Sequence, residues 1–271
     1  ILIHELRQRR GAEELLDGCH HRTDVDQCLR SDDALILTLQ GHTLTDDALH
    51  TGETDAELVL QQFAHAARNA LDAGFDGVEL HGTSGYLSLQ FLHSSTNQRT
   101  DEYGGSVENR QRFLFETIDA ISQEIGNDKV AVRLSPFGRI YDLAAYEGEA
   151  DTWKNIALAL GQRELAYVHL YYQPTYETAP IEAESFKTLF RKVFQGTIIA
   201  AGGFNRQSAE AALEKGDVDL IAFGVPYIAN PDLVERMQNN WPLAESDRTT
   251  YYGVSGSPEK GYTDYPNYEV K

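Results

Sequence analysis

The chain is short of positive charge, of cysteine and of long apolar runs. Its 271 residues hold 23 Lys and Arg against 42 Asp and Glu, a formal net charge of −19. Nucleic acids and anionic membrane surfaces recruit positive patches, so neither is expected as a partner. Two cysteines, Cys19 and Cys28, are too few for a disulfide framework, which points to a reducing compartment, the cytoplasm. No apolar run approaches the roughly 20 residues that cross a bilayer, and no secretory signal pattern is visible. The chain opens Ile1-Leu2-Ile3 without a methionine, so a segment is expected upstream. Cys19, His20, His21 and Cys28 share one window, but their spacing fits no zinc pattern, and a surface loop without metal is expected there.

What is present is a repeating order. Ile1 to Glu5 reads as a short strand and Ala34 to Leu39 as another. The charged stretch Arg7 to Arg30 has no clean period and reads as room for a helix. Thr54 and Glu57 form a capping box ahead of a helix over Thr51 to Asp72. In it Val59, Phe63, Ala66, Ala67 and Ala70 recur at helical spacing until Gly74. Strand Gly77 to His81 follows. Ser106 caps a helix that turns Phe113, Ile118, Ile121 and Ile125 inward and stops at Gly126. Then come strand Val130 to Leu134, a helix capped by Asp151, strand Ala166 to Leu170, helix Phe186 to Val193 and strand Thr197 to Ala201. A helix from Asn205 to Gly216, strand Val218 to Phe223 and a helix opened by Asn230 and Pro231 complete the series. Strands alternate with helices, without hairpin signals. That order gives a parallel sheet with helical crossovers, and this many units give a barrel. A (β/α)8 barrel takes about 250 residues, so a single domain over residues 1–271 is expected.

Within this order Phe75 to Arg110 stands out. Strand Gly77 to His81 runs into a polar loop loosened by Gly82 and Gly85, and Tyr86 follows. A histidine and a tyrosine at a strand's C-terminal end can donate or exchange protons where α/β barrels place their chemistry. The residues alone leave a second reading open: a core histidine and a packing tyrosine. Gly202, Gly203 and Gly224 follow the last two strands directly. Backbone amides at such corners can cradle phosphate. They equally suit tight strand-to-helix turns.

VELHGTSGYLSLQFL followed by SSTNQRTDEYGGSVENR resembles the signature of the old yellow enzymes, the FMN-dependent NAD(P)H ene-reductases. RLSP from Arg133, AYVHL from Ala166, AAGGF from Ala200, AFG-x-x-YIANPDL from Ala222 to Leu233 and GYTDYP from Gly261 resemble further family segments. The resemblance runs from Thr51 to the C-terminus, and residues 1–50 diverge. It implies a TIM (β/α)8-type barrel whose first strand is lacking or replaced, since Ile1 to Glu5 resembles the family's second strand. It implies non-covalent FMN, with Arg133 at the flavin N1 edge stabilising the reduced anion. The phosphate would rest on Gly202, Gly203, Gly224 and the position of Val225. NAD(P)H would be the reductant and an enone or related activated alkene the substrate. His81 would polarise the substrate carbonyl and Tyr86, a phenol protonated near neutrality, would protonate the carbon beside it. Ser84 and Tyr262 would complete the substrate pocket, and a homodimer is implied. Arg99, Asp101 and Glu102 read as a structural ion-pair corner.

Four positions depart from the family. Val225 stands where an arginine usually clamps the phosphate, and Ser84 where asparagine or histidine is usual. LTLQGH, from Leu37 to His42, does not align both Gln40 and His42 with the family's glutamine motif. The first strand is the fourth. These departures sustain an alternative: a flavin-free derivative of the barrel. It would be either an acid–base isomerase, lyase or cyclase using His81 and Tyr86, or a non-catalytic partner protein.

Overall fold

The structure, a computed structural model, describes residues 2–3, 23–31, 34–41, 56–139, 143–171, 181–253 and 259–269. Its centre is an eight-stranded sheet in the order β1-β8-β7-β6-β5-β4-β3-β2. The strands are β1 (Leu2–Ile3), β2 (Thr23–Ser31), β3 (Ala34–Gly41), β4 (Gly77–Gly82), β5 (Val130–Leu134), β6 (Tyr167–Tyr171), β7 (Thr197–Ala201) and β8 (Leu220–Phe223). Every neighbouring pair is parallel except β2 with β3. The two ends of the sheet meet: β1 and β2 come within 8 Å at their Cα atoms, so the sheet curls round into a barrel. Leu2 and Ile3 pair with Ala222 and Phe223 of β8, which is the place of a first barrel strand. A two-residue strand thus replaces that element, and the antiparallel β2 fills the next place.

Among the described residues, eight helices surround the strands. They are α1 (Ala56–Asp72), α2 (Leu87–Leu92), α3 (Val107–Ile125), α4 (Glu149–Leu160), α5 (Ile181–Val193), α6 (Arg206–Lys215), α7 (Val225–Ile228) and α8 (Leu233–Asn239). Strand alternation divides the side chains. Val78, Leu80, Val130, Val132, Leu134, Val168, Leu170, Ile198 and Ile221 turn outward. They pack on Phe63 and Ala67 of α1, Phe113, Ile118 and Ile121 of α3, Trp153 and Ile156 of α4, and Phe190 of α5. Each such large side chain contributes about 1.5–3 kcal/mol by leaving water. The intervening residues turn inward, where Ala131, Tyr167 and Ile199 form a second, smaller cluster with Leu220 and Ala222.

Four local expectations are corrected. The 7–30 stretch does not read through as a helix: Thr23–Ser31 is a strand, and it forms an antiparallel hairpin with β3. A register shift between Val25 and Cys28 breaks the two-residue period that would have announced it. Asp151 does not cap α4. Gly148 does, because Glu149 is drawn into the first turn by a bidentate ion pair with Arg139 at 2.6 and 2.7 Å. Asn230 does not open α8. Its side chain donates to Pro226 O and Ala244 O and accepts from Ala244 N, tying α7 to the chain beyond Trp241, and Asp232 is the residue ahead of Leu233. Leu87–Leu92 is helical rather than loop. Thr54, Cys19, His20 and His21 lie outside the described residues. Among the described residues no group of three or more His, Cys, Asp or Glu could hold a metal ion, and no helix is long and apolar enough to cross a membrane.

Candidate active site

Strand β4 carries polar residues at alternate positions, Glu79 and His81, between Val78 and Leu80. The two-residue period therefore sends both polar side chains inward and both apolar ones to the helices. The same holds on β5, where Arg133 follows Ala131, and on β6, where His169 follows Tyr167. Register puts these residues level. His81 pairs with Arg133 and Arg133 with His169, while Glu79 pairs with Ala131 and Ala131 with Tyr167. The barrel interior is thus built in layers: Glu79, Ala131 and Tyr167 deep, and His81, Arg133 and His169 one step nearer the C-terminal mouth.

His81 is buried, 8 % exposed, and neither ring nitrogen has a partner among the described residues. Tyr86 stands edge-on to it, ring centroids 5.1 Å apart. Tyr86 is held by the start of α2, where its carbonyl accepts from Gln90 N. Burial, helped by the Arg133 charge, pushes the His81 pKa down to about 4, so the ring is neutral at physiological pH. This has a stability consequence with a definite sign. An unfolded imidazole takes a proton near pH 6.5, whereas folded His81 does so only near 4. Between these values the unfolded chain binds the extra proton, so stability falls as pH drops from 6.5 towards 4. The expected loss is about 2 kcal/mol by pH 5. Urea unfolding of His81→Asn and wild type at pH 7 and pH 5 checks this: the gap between them should move in the variant's favour at pH 5. An unchanged gap would mean His81 titrates normally.

Ser84 sits in the loop between them with φ of +57°, a left-handed conformation that serine rarely adopts. Its hydroxyl lies 3.4 Å from that of Thr83. Arg133 sets its guanidinium 5.4 Å from the Tyr171 ring, towards the mouth, and its buried Nε has no protein partner.

Across the mouth, Gly202 and Gly203 leave β7 with φ of +116° and +66°, conformations that glycine adopts without cost and a side chain resists. Ala201 pairs with Ala222, so Gly203 and Gly224 each stand two residues past the last ladder pair. A Cβ added at Gly224 would meet nothing within 4 Å. Val225 beside it is 58 % exposed. Tyr262 lies on the 259–269 segment, 49 % exposed. The strand ends therefore bring His81, Ser84, Tyr86 and Arg133 together on one side of the mouth and the three glycines on the other. Arg99 is buried against Asp101, with the Phe91 and Tyr103 rings each 5.7 Å from its guanidinium, a scaffold corner under the loop.

Sequence reasoning passed over Glu79, Tyr167 and His169. Glu79 is 1 % exposed and its Oε2 is 3.0 Å from His169 Nδ1. Burial alone would raise its pKa, but His169, Arg133 and Tyr167 outweigh that and hold it below the ordinary carboxylate value. The ionised carboxylate only accepts, so His169 Nδ1–H is the donor. Tyr167 is pushed well above a phenol's usual value by burial and by the Glu79 charge. Its hydroxyl stands beside that carboxylate without the geometry of a closed hydrogen bond. The trace of them in the sequence was a polar residue inside each of two largely apolar strands, Glu79 in β4 and His169 in β6.

His81 Nδ1 and Nε2, Arg133 Nε, His169 Nε2 and Ser135 Oγ are buried without partners among the described residues. Buried polar atoms rarely stay unsatisfied, so this concentration at the ends of three strands is what a polar, planar ligand would complete. With the glycine corners opposite, the donor set fits a flavin mononucleotide.

The comparisons with known proteins agree in direction. Residues 34–244 match the NADH:flavin oxidoreductase / NADH oxidase family. The chain is 43% identical to 12-oxophytodienoate reductase 2 of Arabidopsis thaliana over 213 residues, 78% of this chain and 56% of that protein. It is 40% identical to a putative 12-oxophytodienoate reductase 3 of Oryza sativa subsp. japonica over 245 residues, 90% of this chain and 63% of that one. A solved structure of morphinone reductase in complex with tetrahydroNAD aligns with a TM-score of 0.71 at 35% identity, covering 90% of this chain and 63% of that chain. The chain thus spans somewhat over half the length of these relatives. A match over so much of the sequence, on a barrel of this topology, makes the chain a member of the NADH:flavin oxidoreductase / NADH oxidase family, to which the old yellow enzymes belong.

Proposed function

We propose that this chain is an FMN-dependent NAD(P)H oxidoreductase that reduces the activated C=C bond of enones or related small molecules. One observation carries the reading: a buried, neutral histidine with two free ring nitrogens stands edge-on to a tyrosine at the barrel mouth. Bound FMN would supply hydride exchange with the nicotinamide and with the alkene. The rest is the work of the chain. Gly202, Gly203 and Gly224, with the backbone at Val225, would receive the phosphate. Arg133 would face the flavin ring with its positive charge. Neutral His81 keeps an N–H to donate to the substrate carbonyl oxygen, and Ser84 offers a second hydroxyl contact. Tyr86 holds a proton for the carbon next to that carbonyl. Tyr262 would border the pocket, and the burial of His81 keeps bulk water from the reacting atoms.

The reading extends to a single barrel domain over residues 1–271 with a divergent first 50, and to NADPH as an accepted reductant. It includes a cytoplasmic location, supported by the scarcity of cysteine, and a homodimer, supported by the family's habit.

The test is direct. The purified protein should show a flavin spectrum or acquire one on titration with FMN. NAD(P)H should bleach it, and an enone such as cyclohexenone should restore it. No binding at high FMN would overturn the reading. The exposed Val225 favours the one alternative worth keeping, a flavin-free acid–base enzyme on the same barrel. It also offers a check on the phosphate position. Val225→Arg adds a guanidinium at an open site, and a charge-assisted phosphate contact of about 1.5–3 kcal/mol should tighten FMN binding about 10- to 100-fold. Fluorescence titration measures it, and an unchanged Kd would place the phosphate elsewhere.

A further inference from the structure

Beneath the mouth lies a buried charge that the proposed reaction does not use. Glu79 is inside the barrel, 1 % exposed, and its carboxylate accepts from His169 Nδ1 at 3.0 Å. Its neighbour in register on β5 is Ala131, and Arg133 is the next inward residue on that strand. Only a methyl group therefore stands level with the carboxylate on the strand that carries the guanidinium. Arg133 makes no ion pair among the described residues, its Nε has no partner, and it leans over the Tyr171 ring towards the mouth. Its positive charge is thus turned towards the mouth while a fixed anion sits in the layer below.

We propose that Glu79 is a positioning residue: it sets the effective charge with which Arg133 meets bound FMN, and His169 fixes its carboxylate in place. The inference rests on the flavin reading above and deepens it. An unopposed guanidinium beside the flavin ring favours the reduced cofactor, since charge near that edge tunes its electronics. A buried carboxylate one layer below opposes that pull, and it does so strongly because little water screens the pair. Glu79 lies one layer below the mouth, so its influence reaches FMN from beneath, through the charge of Arg133 and the His169 ring that it holds. Its other role, helping to hold three strands together through His169, predicts no effect on potential.

Glu79→Gln separates the two. Glutamine keeps the volume and an oxygen that accepts from His169, and removes only the charge. The FMN-loaded proteins are titrated for Kd and then measured by spectroelectrochemistry. Expected are a Kd within a few-fold of wild type and a midpoint potential shifted to a more positive value in Glu79→Gln. The wild-type potential should lie close to that of free FMN. An unchanged potential in the variant overturns the proposal, whatever the activity does. A wild-type potential far above that of free FMN also overturns it, and this second measurement decides the matter if Glu79→Gln does not fold. FMN that fails to bind the wild-type protein at all removes the flavin reading and this inference together, by a result distinct from an unshifted potential.

Discussion

Tyr86→Phe should slow the reduction of an enone by about 10²–10⁴-fold, the range that a positioned acid or base contributes. The substitution is narrow by construction. Tyr86 is anchored by its backbone at the start of α2 and its ring meets His81 edge-on, with no capping bond from its side chain. Phenylalanine keeps the ring and that contact, so fold and FMN affinity should be unchanged. Only the hydroxyl proton is lost. Stopped-flow measurement of the two half-reactions localises the effect. Bleaching of the flavin by NAD(P)H needs no proton from Tyr86 and should proceed at the wild-type rate. Reoxidation by the enone should carry the whole loss. Equal rates in both half-reactions would mean that solvent or another residue delivers the proton, and Tyr86 would then be a packing residue. Loss of a flavin-independent activity in the same variant would instead favour the acid–base alternative.

The sequence spoke clearly wherever one periodicity governed. From Ala56 to Phe223 the helices and strands other than Leu87–Leu92 were legible, because helical spacing of Phe63, Ala67 and Ala70 is set by a single buried face and the alternation in β4 by a polar inner and an apolar outer side. Caps at Ser106 and Asn205 were legible because a side chain accepts from an amide three residues on. Failures fell where tertiary bonds outbid local signals. Glu149 starts α4 early because of Arg139, and Asn230 gives its amide to Pro226 and Ala244 rather than to a helix. In β2 a bulge erased the alternation. The site followed the same division. His81, Tyr86, Arg133 and the glycines sit in motifs and could be read. The Glu79–His169 pair could not, because its partners are 90 residues apart and only the register of β4, β5 and β6 brings them level.

That pair also governs the largest expected change in stability. His169→Leu should destabilise the fold by about 3–5 kcal/mol, the cost of leaving a buried charge without its partner. Leucine fills much of the imidazole's space, so the loss is electrostatic rather than a cavity. It should therefore depend on pH with a recognisable sign. In the wild type the Glu79 pKa is lowered, so its contribution is present at neutral pH and lost as the solution is made acid. In His169→Leu burial acts with less opposition and the carboxyl should take up a proton more readily than in the unfolded chain. The penalty is then largest at high pH and shrinks as pH falls. Urea unfolding at pH 7.5 and pH 5 should show the variant closing on wild type at the lower value. His169→Gln, whose amide can still donate to the carboxylate, should recover a large part of the loss. A His169→Leu protein within 1 kcal/mol of wild type at pH 7.5, with no dependence on pH, would mean that Glu79 finds another donor inside the barrel and that the 3.0 Å bond to His169 is not what keeps it ionised.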